Sequence, residues 1–296
     1  MTDELEEMAI ELEKSGQFRV LRRIVPGATI CADDGGDRWI GIIVDVETTG
    51  LDTANDEIIE LGMIKFQFSA QGRVYRILDT FASFRQPSTH IPAKITELTG
   101  ITDAMVAGQI ISSEEVARFI SDADLVVAHN AYFDRRMVER YWPEFGGKRW
   151  ACSATEVNWG AEGFVGTRLP YLVAEQGYFY DAHRAVDDCN AVLHALTQQL
   201  PKSNRSGLRA LMDATNANSV RIWAEGAPFE KKDLLKSRGY RWSDGSGGTR
   251  RAWWIDVSEQ DIAQELVYLQ NDIYGRAVNL PTRKLSAFDR FSTRAD

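Results

Sequence analysis

Four acidic residues and one histidine, delivered in three separated pieces, have the types and spacing that suit chemistry. They are Asp45 and Glu47 in IIVDVETTG, Asp134 in VVAHNAYFD, and Asp188 in HRAVDDCNAV with His183 ahead of it. Carboxylate oxygens are hard ligands suited to Mg²⁺ or Mn²⁺, which bind through a few carboxylates and keep positions open for phosphate oxygens and water. A histidine beside them supplies a general base, because a free imidazole titrates near about 6.5. The set reads as the site of a phosphodiester hydrolase that uses two divalent cations.

The elements that must position these groups are legible. Residues 39 to 46 are apolar and β-branched, bounded by Gly35-Gly36 and by Thr48-Thr49-Gly50, which predicts a buried strand. Asp45 and Glu47 are two apart on it, so the strand period puts both on one face. Leu125 to Ala128 reads as a second buried strand, ended by His129-Asn130, and a helix from Ala131 carries Asp134 in its first turn, at the positive end of the helix dipole. After His183, the residues Asp188, Ala191, Val192 and Ala195 recur at helical spacing, a stripe that would face the sheet and bring Asp188 to the strand carboxylates. Each motif alone has a plain reading as a solvated strand end, a helix-start charge or a capping histidine. Together, in this order, they point to catalysis.

These residues carry a family resemblance. Asp45 to Gly50, His129 to Asp134, and His183 to Asp188 resemble the three motifs of the DnaQ-like 3′–5′ exonucleases, the family of bacterial proofreading epsilon subunits and related nucleases, in the DEDDh subgroup whose base is histidine. The resemblance covers about residues 38 to 200. It implies an α/β, ribonuclease H-like mixed sheet flanked by helices, with Asp45, Glu47, Asp134 and Asp188 as metal ligands and His183 as the base. The motif's spacing selects Asp188 over Asp187, which would project about 100° away around a helix. Residues 91 to 102, IPAKITELTGIT, are similar to the family segment between the first two motifs, with Thr99 where some members have histidine.

Substrate contacts are expected around these motifs. Thr48, Thr49 and Gly50 would let the terminal sugar approach the backbone, and Leu51, Met63 and Phe133 would wedge or stack against bases if they are not ordinary core. His129 reads either as a substrate contact or as a hydrogen-bonding residue at a strand end.

Composition bounds the rest. The 296 residues are 44% hydrophobic and 26% charged, enough for one substantial core and a small second domain. No apolar run approaches the ~18 residues of a membrane span, and the acidic start MTDELEEMAIELEK lacks secretory features, so a cytoplasmic protein without a membrane association is expected. Cys31, Cys152 and Cys189 are odd in number and lack metal-ligand spacing, which favours reduced thiols.

Along the chain, residues 1–37 read as an N-terminal appendage: a short helix with Leu5, Met8 and Leu12 on one face, the segment Phe18 to Ile24, and a Gly/Asp-rich link. Residues 38–200 form the exonuclease domain, with strands near 39–46, 58–68 and 73–84. Residues 201–216 read as a polar linker with room for a short helix, 217–280 as a small α+β module, and 281–296 as a tail. From Lys202 to Trp254 there are 11 Lys/Arg against 5 Asp/Glu, a net +6, whereas the whole chain carries −9. Basic residues alternate there with aromatics, a mixture that suits single-stranded nucleic acid. The candidate platform comprises Arg221, Trp223, Lys231, Lys232, Arg238 and Trp242. A small core using tryptophans for bulk accounts for the same pattern equally well. Residues 227 to 242 resemble a small domain attached to bacterial exonucleases and other DNA-processing proteins.

The leading expectation is thus a metal-dependent 3′–5′ exonuclease acting on single-stranded or frayed DNA in repair or proofreading, with two Mg²⁺ or Mn²⁺ ions. An exoribonuclease trimming RNA ends is the alternative within the enzyme class, and a non-catalytic nucleic-acid scaffold the alternative outside it. A DNA polymerase is a candidate partner, although Gln198-Gln199-Leu200-Pro201 makes a poor clamp-binding peptide.

Overall fold

The computed structural model describes residues 2–27, 31–32 and 35–296, in two compact units, Met1–Met212 and Asp213–Asp296. Part of the expected Gly/Asp-rich link, Asp33 and Asp34, lies outside the described residues.

The first unit begins with helix α1 (Thr2–Lys14). Its expected apolar face is open to solvent, with Leu5 and Met8 more than 60% exposed. Ion pairs hold the helix instead, from Arg22 Nη2 to Glu6 Oε1 at 2.6 Å and to Glu13 Oε2 at 3.2 Å. Arg22 and Arg23 themselves pair in parallel with Tyr178 and Phe179.

A five-stranded sheet follows: β1 (Trp39–Thr48), β2 (Ile58–Phe68), β3 (Val74–Phe84), β4 (Leu125–Ala128) and β5 (Trp150–Cys152). Its order is β3-β2-β1-β4-β5. β1, β2 and β3 are antiparallel neighbours, whereas β4 and β5 join in parallel. This is a ribonuclease H-like mixed sheet. β2 is almost continuously buried and β1 is buried or half-buried along its length because elements cover both of their faces, which explains their long apolar runs. β3, at the edge, has only its first two residues buried.

Three helices complete the part that matters for the site: α2 (Ala131–Tyr141), α3 (Ala185–Thr197) and α4 (Gly207–Asn216). Ile43, Ile64, Leu125 and Val127 from the sheet share one core with Ala191, Val192, Ala195 and Leu196 of α3. That core also contains Leu208, Leu211 and Met212. The stretch expected as a linker is therefore partly a helix whose apolar stripe, at spacings of three and one, is buried in the first unit.

The start of α3 lies against β2. A Cβ on Gly62 would come within 2.5 Å of the Ala185 carbonyl carbon, so the close approach requires glycine.

The second unit has a four-stranded antiparallel sheet: β6 (Ser219–Ala224), β7 (Arg241–Ser243), β8 (Ala252–Ser258) and β9 (Thr282–Leu285), in the order β9-β6-β8-β7. Ile222, Ala224, Leu235, Tyr240, Leu269 and Ile273 form its core. Residues 281–296, expected as a tail, are part of this unit's structure. They supply β9, and the Ala295 carbonyl and Asp296 carboxylate accept hydrogen bonds from Arg221.

Replacing Gly62 with alanine should lower the unfolding free energy by about 1–3 kcal/mol, the usual cost of overpacking. Denaturant unfolding of wild type and Gly62→Ala measures it, and an unchanged midpoint would mean that α3 is not seated on β2 as described.

Candidate active site

The site's floor is one face of the β1–β2 pair. In the antiparallel register Asp45 faces Gly62 and Glu47 faces Glu60, and the pairing shifts just after Glu47. These four positions alternate in step, so three carboxylates and one glycine share the face. Because the glycine leaves room, α3 crosses here and delivers Asp188. Oxygens of Asp45, Glu47 and Asp188 lie within 4.8 Å of one another. Asp134, in the first turn of α2, is 3% exposed and accepts backbone N–H groups, Val46 among them. It stands outside that group of three, yet its charge acts on Asp45.

Burial and like charge dominate the electrostatics. Burial, then the charges of Asp134, Asp188, Glu47 and Glu60, raise the Asp45 carboxyl well above the ordinary carboxylate range. Burial and the charges of Asp188, Glu60 and Asp134 push Glu47 up to about 8, with Arg184 opposing. Burial likewise lifts Asp134 to about 7 against the hydrogen bonds it accepts. Asp188 is raised by burial and restrained by hydrogen bonds from the Tyr180 hydroxyl and the His183 N–H. A crowd of desolvated carboxylates that resists ionisation, with only oxygen donors, fits a hard divalent cation, which would relieve the repulsion. Asp45, Glu47 and Asp188 would hold it, with Asp134 beside them.

His183 lies on the turn that leads into α3. Its backbone is in the left-handed region, φ 71°, which is uncommon for a residue other than glycine. The side chain is exposed, and the backbone N–H donates to Asp188 Oδ2 at 2.8 Å. Asp187, next to the ligand candidate, points to solvent.

The expected substrate contacts divide. Leu51 is 86% exposed beside the floor's end. Thr48, Thr49 and Gly50 form a braced turn: the Thr48 hydroxyl donates to the Gly50 carbonyl, and the Thr49 hydroxyl donates to Asp56 while accepting the Glu57 N–H. Phe133 is half-buried on α2. Met63 is wholly buried in β2, so its expected base contact is corrected to core packing. His129 spends both ring nitrogens internally, on the Ser153 hydroxyl at 2.9 Å and the Thr167 carbonyl at 2.7 Å, and burial lowers its pKa. Its strand-end reading is therefore the one that the geometry favours. Thr99 is buried too, bonded to the Ile95 carbonyl.

Two groups at the site escaped the sequence reading. Glu60, 3% exposed, accepts from Arg184 and from the Ala185 N–H. A lone acid inside the apolar run IIELGMI was its signal. Tyr180 donates to Asp188 Oδ1 at 2.7 Å, and no sequence pattern marks it.

In the second unit the candidate platform is largely corrected. Arg221 is 1% exposed, ion-paired to Asp256 and Asp296 and stacked on Trp254. Trp223 is 5% exposed. Arg238 pairs with Glu265, which also accepts from Tyr240. These residues serve the small unit's own fold. Trp242, half exposed and packed on Trp253, together with Lys231 and Lys232, remains at the surface.

A family model described as exonuclease matches residues 42–196, which include all five candidate catalytic residues. The PolC-type DNA polymerase III of Thermotoga petrophila is 27% identical over 203 residues, covering 67% of this chain and 14% of that protein. The epsilon subunit of DNA polymerase III from Aquifex aeolicus is 32% identical over 111 residues, covering 36% of this chain and 52% of that one. The chain thus spans 14% and 52% of these two relatives. A solved structure of exonuclease X with 5′-overhanging duplex DNA aligns at a TM-score of 0.45 and 22% identity, over 59% of this chain and 99% of that one.

The raised carboxyls make a pH prediction for the metal-free protein. Their folded-state values, about 8 for Glu47 and about 7 for Asp134, exceed the unfolded values near about 4, so the folded chain binds more protons over that interval. Stability should therefore fall as pH rises from about 4 towards about 8. Thermal unfolding with a chelator should show this fall, smaller in Glu47→Gln, and a Tm that rises with pH across the interval would contradict it.

Proposed function

We propose that this chain, which belongs to the exonuclease family whose model spans residues 42–196, is a metal-dependent 3′–5′ exonuclease that releases nucleotides from single-stranded or frayed DNA ends. The observation that carries this reading is the half-buried floor of Asp45, Glu47 and Asp188, with oxygens within 4.8 Å of one another and carboxyls held out of their ordinary range. Mg²⁺ or Mn²⁺ bound there would neutralise the phosphate's charge and make water more acidic. The chain's own residues would then fix the geometry: the carboxylates hold the scissile phosphate's end of the site, and the exposed His183 accepts the water's proton. The exposed Leu51 and half-buried Phe133 would meet the terminal nucleotide.

The relatives named as DNA polymerase proteins favour DNA over RNA and replication or repair as the setting. A cytoplasmic location and contact with a polymerase belong to the same proposal. Among the described residues, no helix is long and apolar enough to cross a membrane. The second unit would tighten binding of long strands through Trp242, Lys231 and Lys232.

Digestion of end-labelled single-stranded DNA, duplex DNA and RNA, with Mg²⁺ or Mn²⁺, tests the activity and its substrate. Asp45→Asn, Glu47→Gln, Asp134→Asn and Asp188→Asn should each cost more than the ~10–100-fold typical of outer-shell residues, while Asp187→Asn stays near wild type. RNA cleaved faster than DNA would favour the exoribonuclease, and inactivity on every substrate the scaffold. A second prediction concerns the small unit. The triple variant Trp242→Ala, Lys231→Ala, Lys232→Ala should raise KM on long single strands, spare kcat on very short ones, and flatten the log–log salt slope by about 1.4. An unchanged KM and slope would make the unit structural.

A further inference from the structure

His183 poses a positioning problem. Its ring is exposed, its backbone occupies the left-handed region at φ 71°, and its only hydrogen bond among the described residues is the N–H to Asp188 at 2.8 Å. A residue other than glycine persists in that region only when its neighbours impose it. On the N-terminal side the hydrogen bonds are plain: Tyr180 and the His183 N–H converge on the two oxygens of Asp188. The other side depends on Glu60.

Arg184, directly after His183, is the residue that caps α3, with no side-chain cap of its own. Its guanidinium lies 2.9 Å from Glu60 Oε1, with Nε 3.3 Å from each carboxylate oxygen. Glu60 Oε2 also accepts the Ala185 N–H at 3.2 Å. One buried carboxylate therefore holds both a side chain and a backbone group of the two residues following His183. Glu60 is rigid in turn, since it sits inside β2 opposite Glu47 and two positions from the glycine on which α3 rests.

We propose that Glu60 and Arg184 are positioning residues that fix the turn carrying His183, so that its imidazole meets the attacking water. The proposal rests on the exonuclease reading above. A carboxylate in an already crowded floor is electrostatically unfavourable, because Glu60's charge raises both Asp45 and Glu47. Arg184 offsets part of that cost at Glu47 while tying the turn down. Glu60 makes its bonds to the turn and not to the cation-binding trio, which separates the two roles by experiment.

The test compares wild type, Glu60→Gln, Arg184→Ala, His183→Ala and the double variant Glu60→Gln/His183→Ala, measuring kcat and KM on single-stranded DNA and Mn²⁺ affinity by calorimetry. Arg184 is partly exposed, so Arg184→Ala keeps the test informative if Glu60→Gln fails to fold. Glu60→Gln and Arg184→Ala should each lower kcat about 10- to 100-fold with KM near wild type and Mn²⁺ affinity changed far less than kcat, tighter without the Glu60 charge and weaker without the Arg184 charge. The double variant should be no slower than His183→Ala, since a device acting through His183 has nothing further to lose. Losses that add to those of His183→Ala, Mn²⁺ binding weakened as much as kcat falls, or wild-type kcat in both single variants would overturn the proposal. A wild-type rate in His183→Ala would instead overturn the base assignment, and this inference with it.

Discussion

Repulsion among crowded, largely half-buried carboxylates is the constraint on which this structure turns. Asp45, Glu47 and Asp188, each half-buried, are brought close beside the buried Asp134; burial raises all four carboxyls, and like charge adds to it at Asp45, Glu47 and Asp134. Single interactions are worth a few kcal/mol at most against a net stability of about 5–15 kcal/mol, so such a cluster persists only where the surroundings over-determine it. The surroundings do so here. The acids on β1 are held by their pairing with β2, Asp134 by backbone N–H groups, and Asp188 by donors to both of its oxygens.

The fold's topology explains how residues so distant in sequence meet. β1 is central in the sheet order, antiparallel to β2 and parallel to β4. The end of β1 therefore lies beside the end of β4, from which α2 starts with Asp134. α3 then returns across the β1–β2 pair, and Gly62 sets how closely it sits. Cys189, one residue after Asp188, is fully buried, with its thiol facing the Ile43 and Gly62 carbonyls. The helix is thereby held against the very strands that carry the acids.

Much of this was legible in the sequence, and the limits have physical causes. Period-2 spacing put Asp45 and Glu47 on one face, and apolar runs marked β1, β2 and β4, because buried strands leave an unambiguous pattern. The helical stripe of α3 was equally clear. Glu60 was not, since its importance comes from its cross-strand register, which no single segment reveals. The helix Gly207–Asn216 was open to reading as a short helix in a polar linker, but its burial was not legible, because that depends on the core it packs into. Arg221 and Trp223 looked like a nucleic-acid surface because composition cannot distinguish an exposed basic face from a guanidinium buried between Asp256 and Asp296. Met63 was open to both readings until the sheet placed it in the core.

The central claim is that the floor is a cation site whose carboxyls are held partly protonated until metal binds. Mn²⁺ titration of the metal-free protein near neutral pH, by calorimetry in two buffers of different ionisation enthalpy, tests this most directly. The account predicts binding accompanied by release of protons from the raised carboxyls, with less release per ion as the pH is taken above about 8, where Glu47 is already ionised. Binding without proton release, or undiminished binding after Asp45→Asn and Glu47→Gln together, would contradict it.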